Sequence, residues 1–307
     1  MLSRVANNLI WLERYMERGN GILSLLKVNY SANQDAPELF SWSPIIENYA
    51  GVTNFLTEDP IECIDFMVFK TENPNSIINV VKKARENARS VQEHISRELW
   101  LCINNYYHFV TNPNLPNKLK EEDPIIFLDN LQAFHLMFYG CMDVTQERGT
   151  SYYFMNVGKY LERVIQISDF TALKLIEIAK TSDSLERSVF WKNLLLSIGG
   201  YQLYLKKHKS AFEEKHIITM VFQDKLFPRS LYYSINKLNR HINMLIDANE
   251  LKKNNIDFLL GKLESTIKYT TIESINEQGL NNFIEEIKED IRNISFSINT
   301  VYFSHSN

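Results

Sequence analysis

The 307-residue chain predicts an all-α fold, a bundle of long amphipathic helices with an internal pseudo-repeat, and three observations carry that prediction. Apolar residues recur at steps of three and four along almost the whole length, the spacing that gathers them on one face of a helix. Only ten glycines and eight prolines punctuate the chain, and strand-like alternation bounded by turn residues is hard to find. A short phrase, Arg14-Tyr15-Met16-Glu17-Arg18, returns 145 residues later as Lys159-Tyr160-Leu161-Glu162-Arg163.

The periodicity predicts helices over 3–29, 37–50, 60–69, 76–110, 123–147, 151–181, 184–207, 209–222, 228–248, 255–271 and 276–302. The first has an apolar seam of Val5, Leu9, Leu12, Met16, Leu23 and Leu26. Asp59-Pro60 and Asp123-Pro124 each pair a capping acid with proline at the first helical position, where its missing N–H costs nothing. Asn73-Pro74-Asn75 opens the longest helix, whose seam runs through Ala84, Ala88, Val91, Ile95 and Leu99. In 151–181, Tyr153, Phe154, Val157 and Gly158 combine aromatic bulk with one small residue, a surface suited to close helix contact. A polar break at Thr181 to Asp183 precedes Ser184, and Pro228 opens 228–248. We read residues 1–307 as one helical domain; a division into two lobes would fall in the polar, proline-bearing loop 112–122.

With 45% hydrophobic and 23% charged residues, the chain can bury a large core. Its net charge of -4, with basic residues interleaved among acids, argues against nucleic acid as a partner. Cys63, Cys102 and Cys141 are odd in number, evenly spaced by 39 and lack a Cys-x-x-Cys step, so neither a disulfide framework nor a zinc site is expected, and the even spacing reads as coincidence. Arg4, Asn7, Asn8, Glu13 and Arg14 interrupt any signal-peptide stretch, and no run of about 18 apolar residues occurs. The expectation is a soluble, cytoplasmic protein with no membrane contact.

Charge then falls where core is expected. Beside the seam of the first helix runs a stripe of Arg4, Asn7, Trp11, Arg14, Arg18 and Gly21, with Glu17 and Asn20 adjoining it. Beside the seam of 76–110 runs Arg85, Arg89, Gln92, Ser96 and Trp100, with Glu86, Glu93 and Arg97 nearby. Solvated faces explain such stripes one at a time, since surface pairs are worth about 0 to 1 kcal/mol. Their repetition points instead to an interior site, with arginine forks for a carboxylate or phosphate and Trp11 in its wall. The simplest arrangement packs the two Glu-Arg helices together near an approximate twofold axis. Phe227-Pro228-Arg229-Ser230 adds a helix start whose free N–H groups, with Arg229 and Ser230, suit an anion.

Met1-Leu2-Ser3-Arg4-Val5-Ala6-Asn7-Asn8-Leu9, running through Trp11 and Arg14-Tyr15-Met16-Glu17-Arg18 to Asn20, resembles the opening of the bacterial alpha-E family, all-helical proteins named for a Glu-Arg motif. Ala84 to Val91 with Ile95-Ser96 and Glu98-Leu99-Trp100 resembles its second block, and Phe154, Gly158 and Leu161-Glu162-Arg163 its third. Gly200-Tyr201-Gln202 with Tyr204, and Phe227 to Leu231, resemble later signatures. Departures are Gly19-Asn20 and Val164-Ile165, where a small residue and an acid are usual, and Lys159 in place of an arginine. The resemblance implies no established reaction. It does imply partners: an ATP-grasp ligase-like protein and a transglutaminase-like protein, and through them a role in peptide synthesis or modification.

Other chemistry finds little support. A di-iron bundle needs two Glu-x-x-His steps, and only Glu213 to His216 offers one, so no metal is assigned. Nucleotide and hydrolase fingerprints are missing from the sequence, and His94 and His135 read as packed or surface residues. No nucleophile and no cofactor is nominated. The expected function is an accessory module in which Arg14, Arg18, Arg85, Arg89, Arg163 and Arg229 receive the carboxylate or phosphate of a peptide, oriented by Glu17, Glu86 and Glu162. The alternatives are an enzyme using a buried glutamate as general base and a scaffold whose Glu-Arg pairs bind nothing.

Overall fold

A computed structural model describes residues 1–209, 212–251 and 255–303. Every regular element among them is helical, as the periodicity requires. The chain forms two compact units, Asn7–Met155 and Met1–Ala6 with Asn156–Asn307. The division falls within α1 (Ser3–Asp35) and within α8 (Thr150–Ile178), not in the loop at 112–122. That loop is no linker: it folds as α6 (Leu115–Glu121), whose Leu115 and Leu119 are buried.

In the first unit α2 (Ser43–Ala50) begins later than the periodicity suggests, whereas α3 (Pro60–Phe69) has the predicted bounds. The Asp59 carboxylate accepts from the Glu62 N–H at 2.9 Å and Pro60 takes the first helical position, so the cap fixes this start. At α7 (Pro124–Thr145) the Asp123 carboxylate likewise accepts from the Ile125 N–H at 2.7 Å.

The predicted helix 76–110 is two helices, α4 (Ile77–Ser90) and α5 (Arg97–Val110). Ser96 ends the run by capping α5, its hydroxyl accepting from the Leu99 N–H. The Gln146 side chain then seals the break, accepting from the Ser96 N–H at 2.9 Å and donating to the His94 carbonyl at 3.1 Å. The seam survives the interruption, because Val91 and Ile95 stay buried.

In the second unit, α9 (Ser184–Ser197) starts on the side chain of Asp183, which accepts from the Leu185 N–H at 2.7 Å. Gly199, at φ 67°, separates it from α10 (Tyr201–His208), and Gly279, at φ 87°, separates α14 (Ile272–Gln278) from α15 (Leu280–Phe303). Both breaks lie in stretches the periodicity reads as continuous. Between them come α11 (Glu214–Gln223), α12 (Leu231–Asp247) and α13 (Asn255–Tyr269). The predicted start of helix 209–222 runs into residues outside those described.

Among the described residues no helix is long and apolar enough to cross a membrane. The three cysteines are free thiols. The Cys102 thiol of α5 donates to the Phe134 carbonyl of α7 at 4.0 Å, and burial first, then the neighbouring Cys141, pushes it up to about 12.

Candidate anion-binding site

The repeated phrase has a local geometry that its spacing dictates. Residues three apart share a helix face, whereas a residue two positions on points well away from it. In α1 the Arg18 guanidinium therefore lies over the Tyr15 ring, 5.6 Å from its centre, and the Arg14 guanidinium over Trp11 at 4.4 Å. In α8 Arg163 repeats the arrangement over Tyr160 at 5.2 Å. Glu17 projects elsewhere and is fully buried; its carboxylate accepts from the Tyr139 hydroxyl of α7 at 2.6 Å. Glu13 and Glu162 are buried as well, at 0% and 2% exposure. Surface pairing is thereby excluded for Glu13 and Glu17, since burying a carboxylate costs several kcal/mol that only interior contacts repay.

The first phrase sits in a setting of half-buried side chains. Trp11, Arg14, Tyr15 and Arg18 are each partly exposed. One Arg18 nitrogen donates to the Asn75 side-chain oxygen at 3.0 Å, and Asn75 is itself fixed, donating to the Tyr49 carbonyl at 2.7 Å. Asn73-Pro74-Asn75 leads into the helix start predicted there and supplies a turn beside the arginine: the Asn73 side-chain oxygen accepts from the Asn75 N–H at 3.0 Å, and α4 begins at Ile77 with Ser76 at its cap position. From α4 the Lys83 ammonium reaches the same Tyr15 ring, 5.7 Å from its centre, and donates to the Pro74 carbonyl at 3.0 Å.

Other predicted members are placed differently. Arg85 is engaged by α5, donating to the Asn104 side-chain oxygen at 2.8 Å and lying over Tyr107 at 4.4 Å, with Trp100 farther away at 5.7 Å. Glu86 and Arg89 are exposed on the outer face of α4. Arg85 is thus taken up by α5 while Glu86 and Arg89 stay at the surface.

In the second unit Arg163 is 7% exposed and donates to the Pro228 carbonyl at 3.2 Å, which brings it to the loop that carries the half-buried Arg229. This loop is more closed than its sequence suggests. Pro228 stands outside α12; Ser230 is the cap, its hydroxyl accepting from the Tyr233 N–H at 3.0 Å and donating to the Asp224 carbonyl at 2.5 Å. A helix end already capped by a side chain offers fewer free N–H groups to an anion. Tyr160 stacks on His241 at 5.8 Å, and burial, aided by Arg240, Lys237 and Lys159, pulls that imidazole down to about 4.

Sequence reasoning missed Lys83, Asn75, Tyr139 and Gln146, none of which stands out by periodicity. It also missed a buried pair within α8, where the Lys174 ammonium meets the Glu177 carboxylate at 2.7 Å with 3% and 7% exposure. That pair was legible as a lysine three residues before an acid on a helix with few exposed positions. Among the described residues no cluster of three or more metal-ligating side chains occurs, and Glu213 and His216 form an exposed pair at 3.4 Å.

Helices built around buried glutamates, with arginines stacked on aromatic rings, define a helical Glu-Arg domain. The chain belongs to the Alpha-E family, described as "a predicted alpha-helical domain with a conserved ER motif", which it matches over residues 1–303. Similar curated proteins are uncharacterized proteins of Mycobacterium bovis and of two strains of Mycobacterium tuberculosis, each 19% identical over 321 residues. The match covers 97% of this chain and 36% of each relative, so the chain spans little more than a third of their length. No solved structure matches it.

Proposed function

We propose that the chain is a non-catalytic binding module whose α1 arginines receive a carboxylate or phosphate group of a peptide-type ligand, and that it works beside an ATP-grasp ligase-like protein in peptide synthesis or modification. The observation that carries this reading is the posture of Arg18. Its guanidinium is half-buried, oriented by the Tyr15 ring on one side and by the Asn75 oxygen on another. A planar fork held in place loses less freedom on meeting a bidentate anion, which favours binding. The ligase partnership, and with it a cytoplasmic setting, rests on the family resemblance alone.

A general-base role for Glu17 is less well supported, since a base must reach its substrate's proton and this carboxylate is fully enclosed against the Tyr139 hydroxyl. The same enclosure favours a second reading, a scaffold whose buried glutamates fix helix register and bind nothing. Arg18→Met separates the two. A binding module loses about tenfold or more in affinity for a peptide carrying a free carboxylate or phosphate, measured by calorimetry. Unchanged binding to the copurified ligase and to such peptides, together with raised thermal stability, would establish the scaffold and remove the binding reading.

A further inference from the structure

We propose that Cys102 and Cys141 are a redox pair, which an oxidant of the peroxide class joins in a reversible disulfide that staples α5 to α7. The pair stands apart from the arginines and does not depend on their binding a ligand.

Two contacts fix how α5 and α7 lie together. The Ser96 hydroxyl at the start of α5 meets the Thr145 hydroxyl at the end of α7 at 2.6 Å, and the Tyr106 hydroxyl meets Nε2 of His135 at 3.0 Å. The helices therefore run antiparallel, with 96 level with 145 and 106 level with 135. Cys102 stands four residues before Tyr106, and Cys141 four before Thr145. Four residues are one helical turn, so each cysteine shares the face of a residue already touching the opposite helix. At about 1.5 Å of rise per residue, the two cysteines differ in level by only about 3 Å. Helix axes about 8 to 10 Å apart then leave facing Cα atoms roughly 4.5 to 6 Å from each other, the separation a disulfide spans. The side chains agree with this register: the Cys102 thiol reaches α7, 4.0 Å from the Phe134 carbonyl oxygen, and Cys141 is the side chain that acts on its proton.

The two thiols suit different steps. Cys141 is partly exposed and can meet an oxidant from solution, whereas Cys102 is 5% exposed and held protonated, burial first and then Cys141 pushing it up to about 12. Oxidation therefore starts at Cys141. Its sulfur takes an oxygen from the peroxide as the O–O bond breaks, giving a sulfenic acid and one water. The Cys102 sulfur then attacks the Cys141 sulfur; the S–S bond forms, the S–O bond breaks, and the departing hydroxide leaves as a second water with the Cys102 proton. Two thiols are oxidised, the peroxide is reduced to two waters, and a thiol reductant reverses the bridge. Cys63 supplies the contrast: its thiol is buried on the Thr57 carbonyl at 3.5 Å, and beyond burial the groups that act on it are the carboxylates of Glu58, Asp59 and Glu62 rather than a thiol.

The test treats the full reduced chain with hydrogen peroxide, blocks remaining thiols with an alkylating reagent under denaturing conditions, and maps the digest by mass spectrometry without reductant. The expected product is a peptide pair linked through Cys102 and Cys141, lost on addition of dithiothreitol, with Cys63 recovered as the alkylated thiol. Closing the loop from 102 to 141 should raise the melting temperature by about 5 to 10 °C. Cys102→Ser is expected to stop at the Cys141 sulfenic acid, trapped by dimedone, and circular dichroism confirms that this variant folds; the wild-type map requires no variant. If Cys141 goes on to sulfinic acid or joins a second copy while Cys102 stays a free thiol, the inference falls. It falls equally if neither thiol is oxidised, or if the bridged chain melts no higher than the reduced one.

Discussion

The two copies of the Glu-Arg phrase have the same local grammar and different surroundings. In each, tyrosine and arginine three residues apart stack, and the glutamate between them is buried. In the first copy Tyr15 and Arg18 remain half-exposed and the arginine meets a side-chain amide oxygen with a second cation nearby. In the second, Tyr160 is 8% and Arg163 7% exposed; the tyrosine stacks on an imidazole and the arginine ties down a backbone carbonyl. A repeated motif is therefore no guarantee of a repeated role. Local spacing sets which side chains face together, and the elements packed around them decide whether the result is an open setting or a closed tie.

The part common to both copies is the buried acid, and removing it should have the largest effect. Glu17→Ala takes the acceptor from the Tyr139 hydroxyl and opens a cavity where a fully buried side chain stood, together about 3 to 5 kcal/mol. A drop in urea midpoint without change in slope measures it. A cost below about 1 kcal/mol would mean that the carboxylate is better solvated than its burial indicates.

The comparison breaks most directly at the arginines. Arg163→Ala strips the Pro228 carbonyl of a charged donor and empties a buried stem, with an expected loss of about 3 kcal/mol. Arg18→Ala, at a half-exposed position, should cost no more than about 1 kcal/mol. Equal losses in paired urea titrations would remove the distinction between closed tie and open setting.

Much of this architecture was legible before the structure. Asp59-Pro60 and Asp123-Pro124 marked two helix starts because capping is local chemistry, fully written in neighbouring residues. The seam of α1 was legible for the same reason: Leu9, Leu12, Met16, Leu23 and Leu26 are all buried. The breaks at Ser96, Gly199 and Gly279 were not, since apolar periodicity continues across them; the distant Gln146 side chain holds the first open, and glycines at positive φ make the other two. The candidate site was half legible. Arg14, Glu17 and Arg18 announced themselves as charge inside a core pattern, whereas Lys83 and Asn75 join them only through the packing of α4 and its preceding turn, which no spacing within α1 encodes.

The closed character of the second copy can be sharpened by pH. His241, stacked on Tyr160, is held neutral by burial and by the cations Arg240, Lys237 and Lys159, with its pKa lowered from 6.5 to about 4. The unfolded chain takes up this proton near 6.5 and the folded chain only near 4, so its contribution is complete above 6.5 and is lost as pH falls through that window. The part lost by pH 4 is about 2 to 3 kcal/mol. Because carboxylates titrate in the same range, the measurement is the difference between wild type and His241→Gln in urea stability at pH 7 and pH 4. The wild type should lose more over that interval, and parallel curves would show that the imidazole titrates as it does in water.

A further contrast concerns the residue just after each arginine, where the copies differ as Gly19 and Val164. Val164 is buried without exposure, so the second helix has room there for a branched side chain. Beside Gly19 that room is taken: a Cβ built on it would stand 2.6 Å from Cε1 and 3.0 Å from Nε2 of His135. The imidazole cannot retreat freely, being fully buried and hydrogen-bonded through Nε2 to the Tyr106 hydroxyl at 3.0 Å. Gly19→Ala thus sets a helix-propensity gain of up to about 1 kcal/mol against an overpacking cost of about 1 to 3 kcal/mol, and the rigid neighbour decides for the cost. A net loss of about 1 to 2 kcal/mol follows, with the Tyr106 to His135 hydrogen bond lengthened in the histidine NMR signals. Gly19→Ala with His135→Ala as its partner in a double-mutant cycle isolates the contact: with the ring removed, the same alanine should become neutral or stabilising. If it still destabilises by the full amount, the small residue after Arg18 serves something other than the approach of His135.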